Sequence, residues 1–298
     1  MAVTPPRLSP ILVSDAPGVE ALARALTGEP AIALDTESNS FHVYRERVCL
    51  MQLSTRAADY VLDTFAADPR PLGPVLAAAP AVVLHGADYD VRCLKREYGF
   101  ALPGLFDTMA AARRLGRPGL GLSALVEAQF GVRLAKDFQR SDWGRRPLAS
   151  EQVSYAALDT HYLLALYDVL AGELEARGLA AGAREEFARI GAVEPRPKVF
   201  DPEGWRRLKA SRDLDADGRA VLRALWIARE ERASALDRPP FKVMPETALV
   251  ETARRRPRTQ EELLAIPGIT PVVLRRMGEA ALAAIRGVAP PGGGDAAP

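Results

Sequence analysis

Apolar positions follow two rhythms along this chain, short unbroken runs over its first two thirds and helix-spaced positions over its last third. Residues 31–34, 48–53 and 60–62 form runs too short for helices and bounded by charged residues, Pro or Ser, which predicts buried strands. Helix-like spacing over residues 19–26 precedes them, and a second helix over residues 72–78 leads to a further strand at 81–84. Residues 105–106 predict one more short strand. Three strands in quick succession imply an antiparallel meander, and the helix before the fourth lets that strand return parallel by a crossover. The expected first unit is α/β, a mixed sheet with helices on both faces.

The run VEPRPKVFDP at residues 193–202 has three prolines and little helical period, so it predicts a linker. Helical patterns follow at residues 205–212, 218–236, 245–255, 259–265 and 271–285, which predicts a small all-α domain. The expected division is residues 1–195 for the α/β domain, 196–214 for a linker and connecting helix, 215–287 for the helical domain and 288–298 for a disordered tail. That tail, mostly Gly, Ala and Pro, lacks the apolar surface to order itself.

Composition agrees with two folded units, since 298 residues, 48% of them apolar, exceed what one core ordinarily organises. Two cysteines, Cys49 and Cys93, sit in apolar surroundings and form neither a disulfide framework nor a zinc-binding spacing. A reducing compartment follows. The opening MAVTPPRLSP has no apolar leader core, and no apolar stretch is long enough to span a bilayer, so the expectation is a cytoplasmic protein without a membrane partner. The formal net charge is only +1, so a polyanion would have to be met by local clusters. Arg113, Arg114 and Arg117 form one, Arg140, Arg145 and Arg146 a second, Arg206, Arg207, Lys209 and Arg212 a third, and Arg254, Arg255, Arg256 and Arg258 a fourth. Each could neutralise phosphates, and each could equally be a solvated arginine-rich face.

The first strand-like run stops at Asp35-Thr36-Glu37. Strand alternation sets Asp35 and Glu37 on one side and turns Thr36 to the other. In a helix, residues four apart share a face, so Tyr155 and Asp159 project together. The run at 81–84 leads into a loop or helix start that carries Asp90. Four carboxylates and a phenol so arranged suit two divalent ions beside a phosphodiester, because hard cations take oxygen ligands. Singly, each motif has a bland reading as a turn, a solvated edge or an exposed polar pair. Only their conjunction points to a site.

The order Asp-Thr-Glu, then His85 and Asp90 with Tyr89 before it, then Tyr155 and Asp159 resembles the DEDD exonucleases. Within them it resembles the tyrosine subclass of ribonuclease D type, since Ser154 occupies the place where the other subclass has its histidine. The likeness continues through LFDT at 105–108, SDWGRRPL at 141–148 and SYAALDTHYLLALYDVL at 154–170, the last expected to be one helix. Gly86 and Asp88 depart from the pattern without removing a ligand. Ala149 stands where the family has a capping hydroxyl, so Ser150 is the expected helix cap. RALWIAREERASALDRPPF at 223–241, PETALVETARRRP at 245–257 and TQEELLAIPGI at 259–269 resemble the HRDC domain.

The resemblance implies a ribonuclease-H-like fold and a metal-dependent 3′–5′ exoribonuclease that releases nucleoside 5′-monophosphates from tRNA precursors or other structured RNA 3′ ends. It further implies two Mg²⁺ or Mn²⁺ ions held by Asp35, Glu37, Asp90 and Asp159, with Asp35 as the bridge and Tyr155 orienting or activating the attacking water. Arg140, Arg145, Arg146, Arg254, Arg255, Arg256 and Arg258 are the expected nucleic-acid contacts, and no obligate protein partner is evident. A DNA-directed or mixed exonuclease and a noncatalytic RNA-binding scaffold remain the alternatives, as does a helical domain that only packs. Asp107 is expected to cap or turn the chain or to organise the site indirectly, His85 to be structural, and Trp143 to pack beneath the Tyr155 helix.

Overall fold

The structure, a computed structural model, describes residues 9–135, 137–195 and 199–288. The expected tail from residue 289, residues 196–198 of the expected linker and the first eight residues lie outside the described residues. The chain divides into two compact units, one of residues 1–39 with 47–196 and one of residues 40–46 with 197–298.

The first unit is built on six strands: β1 Ile11–Val13, β2 Ile32–Ser38, β3 Val48–Ser54, β4 Asp59–Asp63, β5 Val82–Leu84 and β6 Leu105–Asp107. Their order in the sheet is β1-β4-β3-β2-β5-β6. The central meander pairs antiparallel, β5 joins β2 parallel as the crossover requires, and β6 joins β5 parallel. All seven residues of β3 are buried, as expected of a strand covered on both faces. Helices α1 Ala16–Leu26, α2 Gly73–Ala78 and α3 Asp88–Tyr98 contribute to one core with Ile32, Leu34, Met51, Val82 and Leu84. Helices α4 Thr108–Arg114, α5 Leu122–Phe130, α7 Leu163–Ala176 and α8 Ala180–Gly191 form a second core with Ala31, Ala33, Val83 and Phe106. Helix α6 Ser150–His161 closes over β2, β3 and β4, where fully buried Ala156 and Ala157 let it lie close to the sheet.

Several elements differ from expectation for physical reasons. Strand β1, which pairs parallel with β4, was not expected: its apolar run Ile11-Leu12-Val13 is only three residues long and two of them are exposed, too little to set a strand apart. Strand β2 does not stop before the acids but continues through them, with Asp35 opposite Gln52 and Glu37 opposite Leu50 on β3. The single helix expected over 154–170 is broken at Tyr162. His161 is held by Asp59 Oδ2 at 2.8 Å while Tyr162 stacks on Phe130 at 6.0 Å, so successive side chains are drawn to different partners. Ser150 is not the cap of α6 but its first residue. Ala149 is the cap position, and Gln152 Oε1 accepts its N–H at 3.0 Å.

The second unit packs α9 Ala216–Ala235, α11 Glu246–Arg255, α12 Gln260–Leu264 and α13 Pro271–Val288 around Leu222, Leu225, Leu249 and Met277, with a short helix α10 Pro240–Val243 between α9 and α11. The helix expected at 205–212 is instead two 3-10 turns, Gly204–Arg207 and Lys209–Asp213, and Val288, expected in the tail, ends α13. Asp215 caps α9 by accepting Gly218 N–H at 2.6 Å. No helix among the described residues is long and apolar enough to cross a membrane.

Two glycines should respond oppositely to alanine. At Gly104 a Cβ would lie 2.6 Å from the Ala79 carbonyl oxygen and 2.8 Å from that of Pro80, backbone atoms that cannot swing aside. Gly104→Ala is expected to cost about 1–3 kcal/mol, read as a melting temperature lower by several degrees. Gly172, inside α7 with open space around it, should gain about 0.5–1 kcal/mol on changing to Ala. Equal melting temperatures for both variants would contradict this packing.

Candidate active site

Strand β5 pairs with β2 only at Ile32 and Ala33. From Leu34 to Ser38, β2 therefore has β3 on one side and no strand on the other. The first turn of α3 closes on this open side and brings Asp90, which is buried. Thr36 Oγ1 donates to Asp90 Oδ1 at 2.5 Å. Thr36 does alternate away from Asp35 and Glu37, yet it is not a bystander. It ties the third acid to the strand that bears the first two.

The turn before Asp90 is fixed by Asp107. Its carboxylate accepts Gly86 N–H at 3.0 Å and Ala87 N–H at 2.9 Å, and it caps α4 by accepting Met109 N–H at 2.8 Å and Ala110 N–H at 3.1 Å. One side chain thus performs both functions between which the sequence left a choice. His85 Nδ1 lies 2.9 Å from Thr108 Oγ1, and burial pushes its pKa down, which suits a structural imidazole.

Asp159 and Tyr155 come from α6. Tyr155 lies between Trp143, stacked at 6.3 Å, and Phe138, tilted at 5.4 Å, so its ring has little freedom. Trp143 is 1% exposed and packs as expected rather than offering a face to a base. At the base of α6, Ser54 Oγ bonds Thr160 Oγ1 at 2.7 Å and Asp59 Oδ1 at 2.6 Å. These bonds hold the residue next to Asp159 to the sheet.

Burial raises the pKa of all four acids, and neighbouring carboxylates add to it. Burial, then Asp90, Asp159 and Glu37, push Asp35 well above the carboxylate range. Burial and then Asp159 and Asp90 push Glu37 up to about 9, burial and Asp90 push Asp159 up to about 7, and burial pushes Asp90 up to about 6 against the lowering effect of Thr36. Among the described residues, no Lys or Arg figures among the causes of these shifts. No group of three or more Asp, Glu, His or Cys side chains among the described residues is placed so that it could hold a metal ion. The acids lie within electrostatic reach of one another without enclosing an ion by themselves. Oxygen-only donors, one buried and three half-buried, fit hard divalent cations whose remaining positions are filled by water or substrate.

The expected phosphate contacts fare differently. Arg146 is withdrawn, since all five of its N–H donors are spent: Nε and Nη2 on Asp63 at 2.6 Å each, Nη1 on the Trp143 and Arg145 carbonyls, and Nη2 on the Cys49 carbonyl. Arg140 and Arg145 are exposed. Arg254 and Arg255 pair with Glu251, Arg256 with Asp215, and the Arg258 backbone N–H bonds Glu262. Arg113 and Arg114 pair with Glu186, and Arg117 with Glu173.

A mixed six-stranded sheet with helices on both faces and four coupled acids at the open end of its central strands defines a ribonuclease-H-like protein with a nuclease-type acidic site. The family model of the 3′–5′ exonuclease matches residues 10–175, and that of the HRDC domain matches residues 218–285. Ribonuclease D of Granulibacter bethesdensis is 32% identical over 267 residues, covering 88% of this chain and 67% of that protein. Exosome complex exonuclease RRP6 of Saccharomyces cerevisiae is 32% identical over 257 residues, covering 80% of this chain. The chain spans only 35% of that relative's length. The crystal structure of the catalytic core of RRP6 from Trypanosoma brucei superposes with a TM-score of 0.85 at 29% identity, covering 96% of this chain and 82% of that one. The chain belongs to the 3′–5′ exonuclease family, in its ribonuclease D and RRP6 branch with an HRDC domain.

The raised acids make stability depend on pH. An acid whose folded pKa is raised contributes stability that is fully present below its unfolded value of ~4 and is lost as pH rises through the folded value. With folded values of about 6, 7 and 9, the metal-free protein should melt at progressively lower temperature between those limits, and saturating Mg²⁺ should flatten the slope. A flat profile in chelator would contradict the coupling. Separately, Thr36→Val keeps the shape and removes the donor to Asp90, so Mg²⁺ affinity measured by calorimetry should fall ~10–100-fold. Thr36→Ser should restore most of it, and an unchanged affinity in Val would return Thr36 to a packing role.

Proposed function

We propose that this chain is a metal-dependent 3′–5′ exoribonuclease that releases nucleoside 5′-monophosphates from the 3′ ends of tRNA precursors and other structured RNAs. The observation that supports it best is the meeting of four carboxylates, Asp90 buried and Asp35, Glu37 and Asp159 half-buried, all with raised pKa. Asp35, Glu37 and Asp159 would hold one divalent ion, Mg²⁺ or Mn²⁺, and Asp35 with Asp90 a second, which makes Asp35 the shared ligand. Bound ions supply a nucleophilic water near neutral pH and stabilise the charge on the leaving 3′ oxygen. Burial and then Asp159 and Glu37 push the Tyr155 phenol above its ordinary range, so it keeps its proton. A phenol that holds its proton is suited to orient the attacking water by hydrogen bonding. Ring contacts with Trp143 and Phe138 restrict the Tyr155 side chain that carries this hydroxyl.

RNA is favoured over DNA by the relatives, which are named as a ribonuclease and as an exosome exonuclease. Those names also leave the expectation of action without a protein partner unsupported, and an RNA-processing assembly is the partner class to look for. The cytoplasm is the proposed compartment, given the free thiols of Cys49 and Cys93.

The test is incubation with matched RNA and DNA strands in Mg²⁺ or Mn²⁺, then in chelator. RNA should shorten from its 3′ end only with metal, and Asp35→Asn should fold yet lose nearly all cleavage. Tyr155→Phe should lower turnover by ~10²-fold while the metal-induced rise in melting temperature persists. Cleavage at the wild-type rate in chelator would end the metal-dependent reading, and equal cleavage of DNA would make this a mixed exonuclease.

A further inference from the structure

Three buried polar side chains beside the acid site find partners. Thr36 bonds Asp90, Asp107 accepts four backbone N–H groups, and Ser54 bonds Asp59 and Thr160. Gln52 does not. It sits in the middle of β3 at 0% exposure, and neither its carboxamide oxygen nor its nitrogen has a hydrogen-bond partner among the described residues. A carboxamide taken out of water gives up hydrogen bonds at both ends, so an unpaired one is unfavourable, and an apolar side chain of the same shape would be tolerated better there.

The register of the sheet says what Gln52 faces. It is the directly opposed partner of Asp35 on β2 and of Val61 on β4. Opposed residues of antiparallel strands turn their side chains to the same face, with Cβ atoms ~4.5–5.5 Å apart. Alternation along β3 puts Leu50 and Ser54 on that face too. Leu50 clusters with Val61, Tyr155, Ala156 and Ala157, and Ser54 bonds Thr160, so this is the face that α6 covers. Gln52 therefore lies under the helix that carries Tyr155 and Asp159, and next across the sheet from Asp35.

A donor without charge suits that position. A Lys or Arg there would compete with a divalent ion for the carboxylates, whereas the two N–H groups of an amide can hold a carboxylate without neutralising it. We propose that Gln52 is a positioning residue of the acid site, its carboxamide orienting Asp35 toward a bound divalent ion. The proposal rests on the metal-dependent reading for the identity of that ion. A carboxylate drawn against a cation is ionised and accepts strongly, so loading the site gives the amide the acceptor that it otherwise lacks. Relief of this buried donor then forms part of the free energy of ion binding.

The test measures melting in chelator and Mg²⁺ affinity by calorimetry, both on the full chain. Gln52→Met keeps an unbranched side chain and removes its polar end. In chelator it should melt no lower than wild type, because an unpaired buried amide is exchanged for an apolar chain, while its Mg²⁺ affinity falls ~10–100-fold. Thr252 on α11 is the control, fully buried with an unpartnered hydroxyl but in the helical unit. Thr252→Val should leave Mg²⁺ affinity unchanged. Equal affinity in wild type and Gln52→Met overturns the proposal, and so does an equal fall in Thr252→Val. A lower melting temperature or failed folding of Gln52→Met in chelator also overturns it, since the amide would then already be paired in the unloaded protein. In each of these cases the metal-dependent reading stands. Wild type that takes up no Mg²⁺ overturns that reading, and this proposal with it.

Discussion

Repulsion among Asp35, Glu37, Asp90 and Asp159 is the constraint on which the rest of the first unit depends, because buried like charges drift apart or take up protons unless other forces fix them. Here the four acids are fixed in three different ways. Asp35 and Glu37 are set by the β2–β3 register. Asp90 is held by the Thr36 hydroxyl and by a turn that Asp107 pins through two backbone N–H groups. Asp159 is carried by a helix that its two neighbouring alanines and the Ser54–Thr160 bond keep against the sheet. The early end of β5 leaves the space in which these parts meet. Much of what looks like ordinary packing in this region is the means by which an unfavourable charge arrangement persists.

The strands of the meander and the helical character of the last third were legible because long apolar runs and helical spacing are local properties. The acids themselves were legible for a different reason: their spacing within β2 and within α6 is local, even though their meeting is not. What escaped the sequence depends on distant partners. Arg146 looked like a phosphate ligand, yet Asp63, 83 positions away, takes two of its donors. The helix break at Tyr162 follows from Asp59 and Phe130, which come from two other elements. Thr36 was placed on the far face but given no role, because nothing in the sequence says that α3 approaches it. A hydroxyl between two acids in a strand was the one available signal.

The second unit shows the same limit in its electrostatics. Runs of arginine catch the eye, but the carboxylates that balance Arg256 come from Asp215 and Asp217, and Glu251 precedes Arg254 by one turn. Local charge density in a sequence and net charge on a surface are different quantities.

Trp143 gives the first unit a built-in optical reporter. The indole is sealed from water and stacked on Tyr155, two of whose nearest charges are Asp159 and Glu37. Any change in the charge of that cluster alters the field across the indole, so its emission tracks occupancy of the acid site without a label. The remaining tryptophans, Trp205 and Trp226, belong to the helical unit. Replacing them with Phe would leave one indole whose brightness and colour follow the electrostatic state of the carboxylates.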